Sequence, residues 1–206
     1  MKIKAVIFDL DGVLVDATEW HYEALNRALG LFGYNIARYE HLTTYNGLPT
    51  RKKLEMLSVE KNFPRGLHAL VNKIKQKYTR EEILRSCTPV FEKEFMLHQL
   101  KREGFKLAVC SNSIRESVEL MLRGSGVLDL FDCLLSNEDV KHAKPDPEIY
   151  LEAFKQLGIK PKEALIVEDA PHGIEAAKRS GAALCQVTGF NEVDYARIRH
   201  ALEGAV

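Results

Sequence analysis

Cysteine is sparse in this chain of 206 residues: Cys87, Cys110, Cys133 and Cys185 lie far apart, with no C-x-x-C pair among them. That spacing removes zinc sites and dithiol redox motifs from consideration, and three of the four sit in apolar, strand-like stretches where a reduced core thiol is expected. Long apolar runs are missing as well. None approaches the ~18 residues of a membrane helix, and the N-terminal run is ended by Asp9 too early to act as a secretory signal. Net charge is absent, with 29 Lys and Arg balancing 29 Asp and Glu, so no overall field recruits nucleic acid or an anionic membrane. There is no G-x-x-x-x-G-K-[ST] phosphate loop, which disfavours a kinase. "GSGVLD" at 124–129 is no dinucleotide fingerprint, because it precedes a strand instead of following one. No repeat or low-complexity tract occurs. These absences leave a soluble, cytoplasmic chain whose expected partner is a small molecule, without nucleic acid or membrane; composition specifies no oligomeric state.

The chain does contain short β-rich apolar runs, at "AVIFDL" (5–10), "KLAVCS" (106–111), "DCLLS" (132–136), "ALIVED" (164–169) and "ALCQVTG" (183–189). From the second onward they alternate with helical periodicity, which predicts an α/β fold built on a Rossmann-like parallel sheet. Helix signals agree with that reading. "FEKEFMLHQLKREG" ends at Gly104, and "DPEIYLEAFKQLG" offers Asp146 as N-cap, Pro147 at the first helical position and Gly158 past the last turn. Residues 17–88 break the alternation with helical stretches and no strand, predicting a helical insertion into a core formed by residues 1–16 and 89–206. The charge-rich "KIKQKYTREE" within it reads as a solvated helix face.

In an open parallel sheet, ligands bind beyond the carboxyl ends of the strands. Those ends carry Asp9 and Asp11, Ser111 and Asn112, Glu168 and Asp169, with Lys144 following the third strand. An ionised carboxylate is a competent oxygen nucleophile toward phosphorus, and Asp9 stands nearest its strand. Asp11, its pKa raised by burial and by its neighbour, fits the acid that protonates a departing alcohol and then deprotonates water. Carboxylate attack on a phosphate dianion requires added positive charge. A magnesium ion held by Asp9, Glu168, Asp169 and the Asp11 backbone carbonyl supplies it, with Lys144 and Ser111 on the phosphate oxygens. Gly12 permits a sharp turn beside the phosphate.

The ordered set "DLDGVLVD", "SNS" (111–113), "KPDP" (144–147) and "VEDAPHGIEAA" (167–177) resembles the haloacid-dehalogenase superfamily of phosphohydrolases, in its beta-phosphoglucomutase-like branch with a helical cap. The resemblance spans essentially the whole chain. It implies magnesium dependence, Asp9 as nucleophile, Asp11 as acid/base, Ser111 and Lys144 on the phosphate, Glu168 and Asp169 at the metal, and residues 17–88 as a cap closing over the substrate.

Two outcomes share that chemistry, hydrolysis and phosphoryl relocation within a sugar. His21 matches a histidine that mutases use and that phosphatases of the branch also carry. Ala17 stands where the mutase pattern has threonine, and in "NGLPTR" Arg51 comes one residue later than the arginine that holds a mutase's distal phosphate. Arg51 therefore reads either as a substrate contact or as the start of a basic, solvated helix with Lys52 and Lys53. Asn112 joins Ser111 and Lys144 as a phosphate-binding candidate; Asn112 and Arg115 are also within reach of substrate hydroxyls, Arg115 otherwise reading as an exposed helix residue. These departures favour a phosphatase acting on a small phosphorylated metabolite, a sugar phosphate foremost, with a sugar phosphomutase as the alternative. A phospho-accepting signalling or binding domain is the non-enzymatic alternative; it would need neither Asp11 nor an inserted helical unit.

Overall fold

A computed structural model describes residues 2–205. Five parallel strands, β1 (Ala5–Phe8), β2 (Lys106–Cys110), β3 (Cys133–Leu135), β4 (Ala164–Glu168) and β5 (Ala183–Gln186), form one sheet in the order β3-β2-β1-β4-β5. β1 is central, and Phe8 stands between Val109 and Val167. Residues of alternating parity enter opposite layers, as the two-residue period of a strand requires. Val6, Phe8, Leu107, Val109, Leu165 and Val167 pack on one face, covered by α5 (Phe91–Arg102), α6 (Arg115–Gly124) and α9 (Tyr195–Gly204). Ala5, Ile7, Ala108, Cys110 and Ile166 pack on the other, beneath α7 (Glu148–Leu157) and α8 (Pro171–Ser180). Burial on both faces explains why these strands read as unbroken apolar runs. The cysteines are free; Cys110, Cys133 and Cys185 are buried and Cys87 is half-buried.

Between β1 and β2 run α1 (Thr18–Gly30), the short α2 (Arg38–Glu40), α3 (Thr50–Glu60) and α4 (His68–Ser86), with no strand. They close around their own apolar cluster, including Leu25, Leu29, Leu54, Leu57, Phe63 and Val71.

Element ends differ from the sequence reading by one to three residues, the most at β5, which ends at Gln186. β1 stops at Phe8 because residues 9–15 leave the sheet in a tight loop, in which Gly12 donates to Val15 O and Val15 donates to Leu10 O. Gly12 is required there: its φ is +88°, and a Cβ would lie 2.3 Å from Asp169 Oδ2. α7 begins one residue later than expected, with Pro147 at the cap and the Asp146 carboxylate accepting from Glu148 N at 3.0 Å. Gly158 ends α7 in the left-handed conformation, as expected.

The first turn of α8 packs on the end of β4 so closely that a Cβ on Gly173 would lie 1.8 Å from Glu168 Oε1. Gly30, at the end of α1, faces open space. Gly173→Ala is expected to destabilise the fold by about 1–3 kcal/mol, the usual range for overpacking. Gly30→Ala is expected to be neutral or to stabilise by about 0.4–1 kcal/mol through the unfolded chain. Thermal and denaturant melts of the two variants check both signs.

Candidate active site

Parallel pairing in register brings Asp9, Ser111 and Glu168 to one sheet edge, each one residue beyond or at the end of its strand. Lys144 enters from the loop after β3 and is almost wholly buried, with 3% of its surface exposed. Its ammonium donates to Asp9 Oδ1 at 2.7 Å, to the Cys110 carbonyl at 2.8 Å and to Glu168 Oε1. Burial alone would discharge this lysine; the two carboxylates reverse that and hold its pKa above the ordinary value. Tyr150 donates to the same Glu168 oxygen at 2.9 Å, while Glu168 Oε2 accepts from the backbone N–H groups of Asp169 and Ala170. Glu168 thus fastens Lys144 and the start of α8 at once.

Asp9, Glu168 and Asp169 bring carboxylate oxygens within 4.8 Å of one another. Three carboxylates face one ammonium in a buried place. Burial and the acidic neighbours push Asp9 upward against the pull of Lys144, and burial with Glu168 raises Asp169 to about 7. Asp169 Oδ1 is buried with no hydrogen-bond partner. An orphaned buried carboxylate oxygen beside surplus negative charge fits a hard divalent cation with oxygen ligands. Asp9 and Asp169 keep oxygens available for direct ligation. Glu168 completes this cluster, and its two oxygens also accept from protein donors, which fixes its carboxylate beside the other two.

Asp11 differs from the sequence expectation. Burial does push its carboxyl upward, but the charge and hydrogen bond of His21, a hydrogen bond from Ser113 and the Lys75 ammonium outweigh burial and hold it well below the carboxylate range. His21 Nε2 lies 2.8 Å from Asp11 Oδ1, and the Ser113 hydroxyl donates to Oδ2 at 2.8 Å. On the far side of the ring, Lys75 Nζ is 3.1 Å from His21 Nδ1. An ammonium only donates, so Nδ1 accepts and the ring proton sits on Nε2, directed at Asp11. Burial and Lys75 together lower the His21 pKa, against the opposing pull of Asp11. The result is a row, Lys75–His21–Asp11, linking α4, α1 and the loop after β1.

Ser111 is fully buried; its hydroxyl donates to Asp11 Oδ2 at 3.3 Å and accepts from Ser113 N. Asn112 also stands on the cavity wall. Its Nδ2 donates to Gly47 O at 2.8 Å and its Oδ1 accepts from Lys144 N at 3.1 Å, so the side chain braces two loops. Arg115 binds Asp139 and the Leu134 carbonyl, away from the site. Arg51 reaches only the mouth of the cavity: its side chain is 89% exposed and pairs with Glu55 on its own helix.

The cavity enclosed between the sheet edge and the inserted helices has a volume of about 260 Å³. Among the residues lining it, Ser113, Lys53 and Lys75 are ones the sequence reading missed or misplaced. Lys75 was expected on a solvated helix face, and Lys53 in one of the two readings of Arg51; both are 6% exposed. A signal existed for Lys75: with Val71 and Thr79 it forms an i, i+4 stripe on α4, and that stripe is buried.

Residues 6–187 match the haloacid dehalogenase-like hydrolase family. The phosphorylated carbohydrates phosphatase of Thermotoga maritima is 30% identical over 181 residues, 87% of this chain and 82% of that protein. Pyrophosphatase PpaX of Bacillus velezensis is 29% identical over 189 residues, with coverage of 87% and 81%. The solved beta-phosphoglucomutase of Clostridium difficile superposes with a TM-score of 0.85 at 23% identity over 98% of both chains, a likeness of fold. With the sheet order, the acid cluster and these matches in agreement, the chain belongs to the haloacid dehalogenase-like hydrolases and is an enzyme.

Proposed function

We propose that the protein is a magnesium-dependent phosphatase of a small phosphorylated metabolite, with phosphorylated carbohydrates and pyrophosphate, the compounds named for its relatives, as the first candidates. The observation that carries this reading is Asp9: a carboxylate at the end of the central strand, beside the Lys144 ammonium, opening on the same cavity as Asp11 two residues on. Residues 17–88 act as the cap that shields the reaction from water.

Asp9 attacks phosphorus, forming an acyl phosphate as the bond to the leaving oxygen breaks. Lys144 neutralises the nucleophile's surroundings and fixes its orientation. Asp9, Glu168 and Asp169, with the Asp11 backbone carbonyl, would hold a magnesium ion, whose charge would offset repulsion between carboxylate and phosphate dianion. Asp11 passes a proton to the leaving oxygen, drawn from His21 Nε2, while Lys75 restores the proton at Nδ1. Burial lowers Lys75 to about 8, against the opposing pull of Asp11, which eases that transfer. In the second half Asp11, again a carboxylate, takes a proton from water as it attacks the acyl phosphate, and the proton returns along the same row. Arg51, standing in solvent at the cavity mouth, is poorly placed for the distal-phosphate role of a mutase arginine, which supports hydrolysis over relocation.

Asp9→Asn is expected to lower turnover of phosphate esters by at least ~10³-fold with the melting temperature retained; activity within a factor of ten of the parent would overturn the mechanism. Phosphate release and phosphate position, followed together with hexose 1-phosphates, separate hydrolysis from relocation. His21→Ala removes the largest of the contributions that hold Asp11 down, so its carboxyl moves upward under burial. Because Asp11 must be ionised to activate water, the acid limb of the pH–kcat profile is expected to move to higher pH, with kcat falling by ~10²-fold.

A further inference from the structure

The inserted helices place two ammonium groups, Lys53 and Lys75, inside the cavity, each only 6% exposed. Lys75 has a partner in His21 Nδ1. Lys53, also on the cavity wall, takes part in no side-chain hydrogen bond or ion pair among the described residues. Its charge is disfavoured first by burial and then by Lys75, and Asp11 alone opposes them, lowering its pKa to about 7. Asp11 is already committed to His21 and Ser113. A buried ammonium without a counter-ion is costly, and such groups persist where an incoming anion completes them.

A second feature points to the same spot. Lys53 lies on the first turn of α3, an 11-residue helix whose N-terminus has no side-chain cap. Leu48, Pro49, Thr50 and Arg51 of that N-terminus line the cavity. Free amides and the positive end of the helix dipole reinforce the lysine's preference for negative charge. This end lies on the inserted helices, across the cavity from Asp9 and Lys144, so it faces the part of the substrate that departs.

Building on the phosphatase reading, we propose that Lys53, with the first turn of α3, is a specificity-determining anion site, and that the substrate is a phosphate ester or anhydride carrying a second anionic group, a carboxylate or a second phosphoryl, on its leaving side. The residue that the sequence pattern nominates for such a role, Arg51, points into solvent and pairs with Glu55; Lys53 takes its place from inside.

The test compares matched substrates that differ in the second charge: glycerol 3-phosphate against 3-phosphoglycerate, and a hexose 6-phosphate against the corresponding 1,6-bisphosphate. The wild type is expected to prefer the doubly anionic member of at least one pair by about tenfold or more in kcat/KM, and the pair concerned tells carboxylate from phosphoryl. Lys53→Met and Lys53→Gln should lose at least ~10-fold more on that member than on its neutral counterpart, chiefly through KM. Lys52→Met, on the exposed side of the same helix, should leave the preference intact. Equal losses on both members, or no preference in the wild type, would overturn the anion site while the phosphatase reading stands. Calorimetric titration of the same four compounds into Asp9→Asn, with and without Lys53→Met, reads the site without turnover. Unchanged binding of both doubly anionic compounds there refutes it, even if no ester proves to be hydrolysed and the phosphatase reading falls.

Discussion

The Lys144 ammonium, clasped between Asp9 and Glu168, is the interaction on which the rest of the site depends. Those two carboxylates come from adjacent strands and the lysine from a loop after a third, so their contact ties three separate parts of the chain at the sheet edge. None of the three is tolerable alone at this depth, since an isolated buried charge is far costlier than a paired one. Glu168 is held in turn by Tyr150 and by the backbone at the start of α8, and Gly173 leaves room for it. The pair is therefore held from both sides, which fixes the orientation of the Asp9 carboxylate.

Around that clasp the charges are deliberately unequal in distribution. The sheet edge has more carboxylates than ammonium groups, which suits a divalent cation; the inserted helices have two buried ammonium groups and no carboxylate of their own directed at them. The proposed substrate, with negative charge at both ends, and a cation at one of them would balance the whole cavity. Asp11 sits between the two halves, attached to the sheet through its loop and to the inserted helices through His21. The same row that orients its carboxylate ties the loop after β1 to the inserted helices, and in the proposed mechanism it is also the path of the proton.

Asn112 joins the halves in another way. Its amide holds the Gly47 carbonyl from the inserted helices and the Lys144 backbone from the sheet side. Gly47 approaches the α8 N-cap so closely that a Cβ there would stand 3.0 Å from Ala170. The side chain, itself on the cavity wall, thus braces the two halves through both ends of its amide.

The amino-acid sequence by itself determined the parallel sheet and the placing of chemistry at its edge. Unbroken apolar strands alternating with helices leave few ways to bury both sheet faces, and a charged residue at a strand's end has nowhere to go but the crevice. Asp9, Lys144, Glu168 and Asp169 were legible for that reason. Tertiary structure decided what depends on neighbours distant in the chain. Asp11 was expected to be raised by burial and is lowered, because the sign turns on His21, Ser113 and Lys75 arriving from three other elements. Lys75, and Lys53 in one of the two readings of Arg51, looked like solvated helix charges; whether a helical lysine faces water or a cavity is settled by what packs across from it, which no local pattern records.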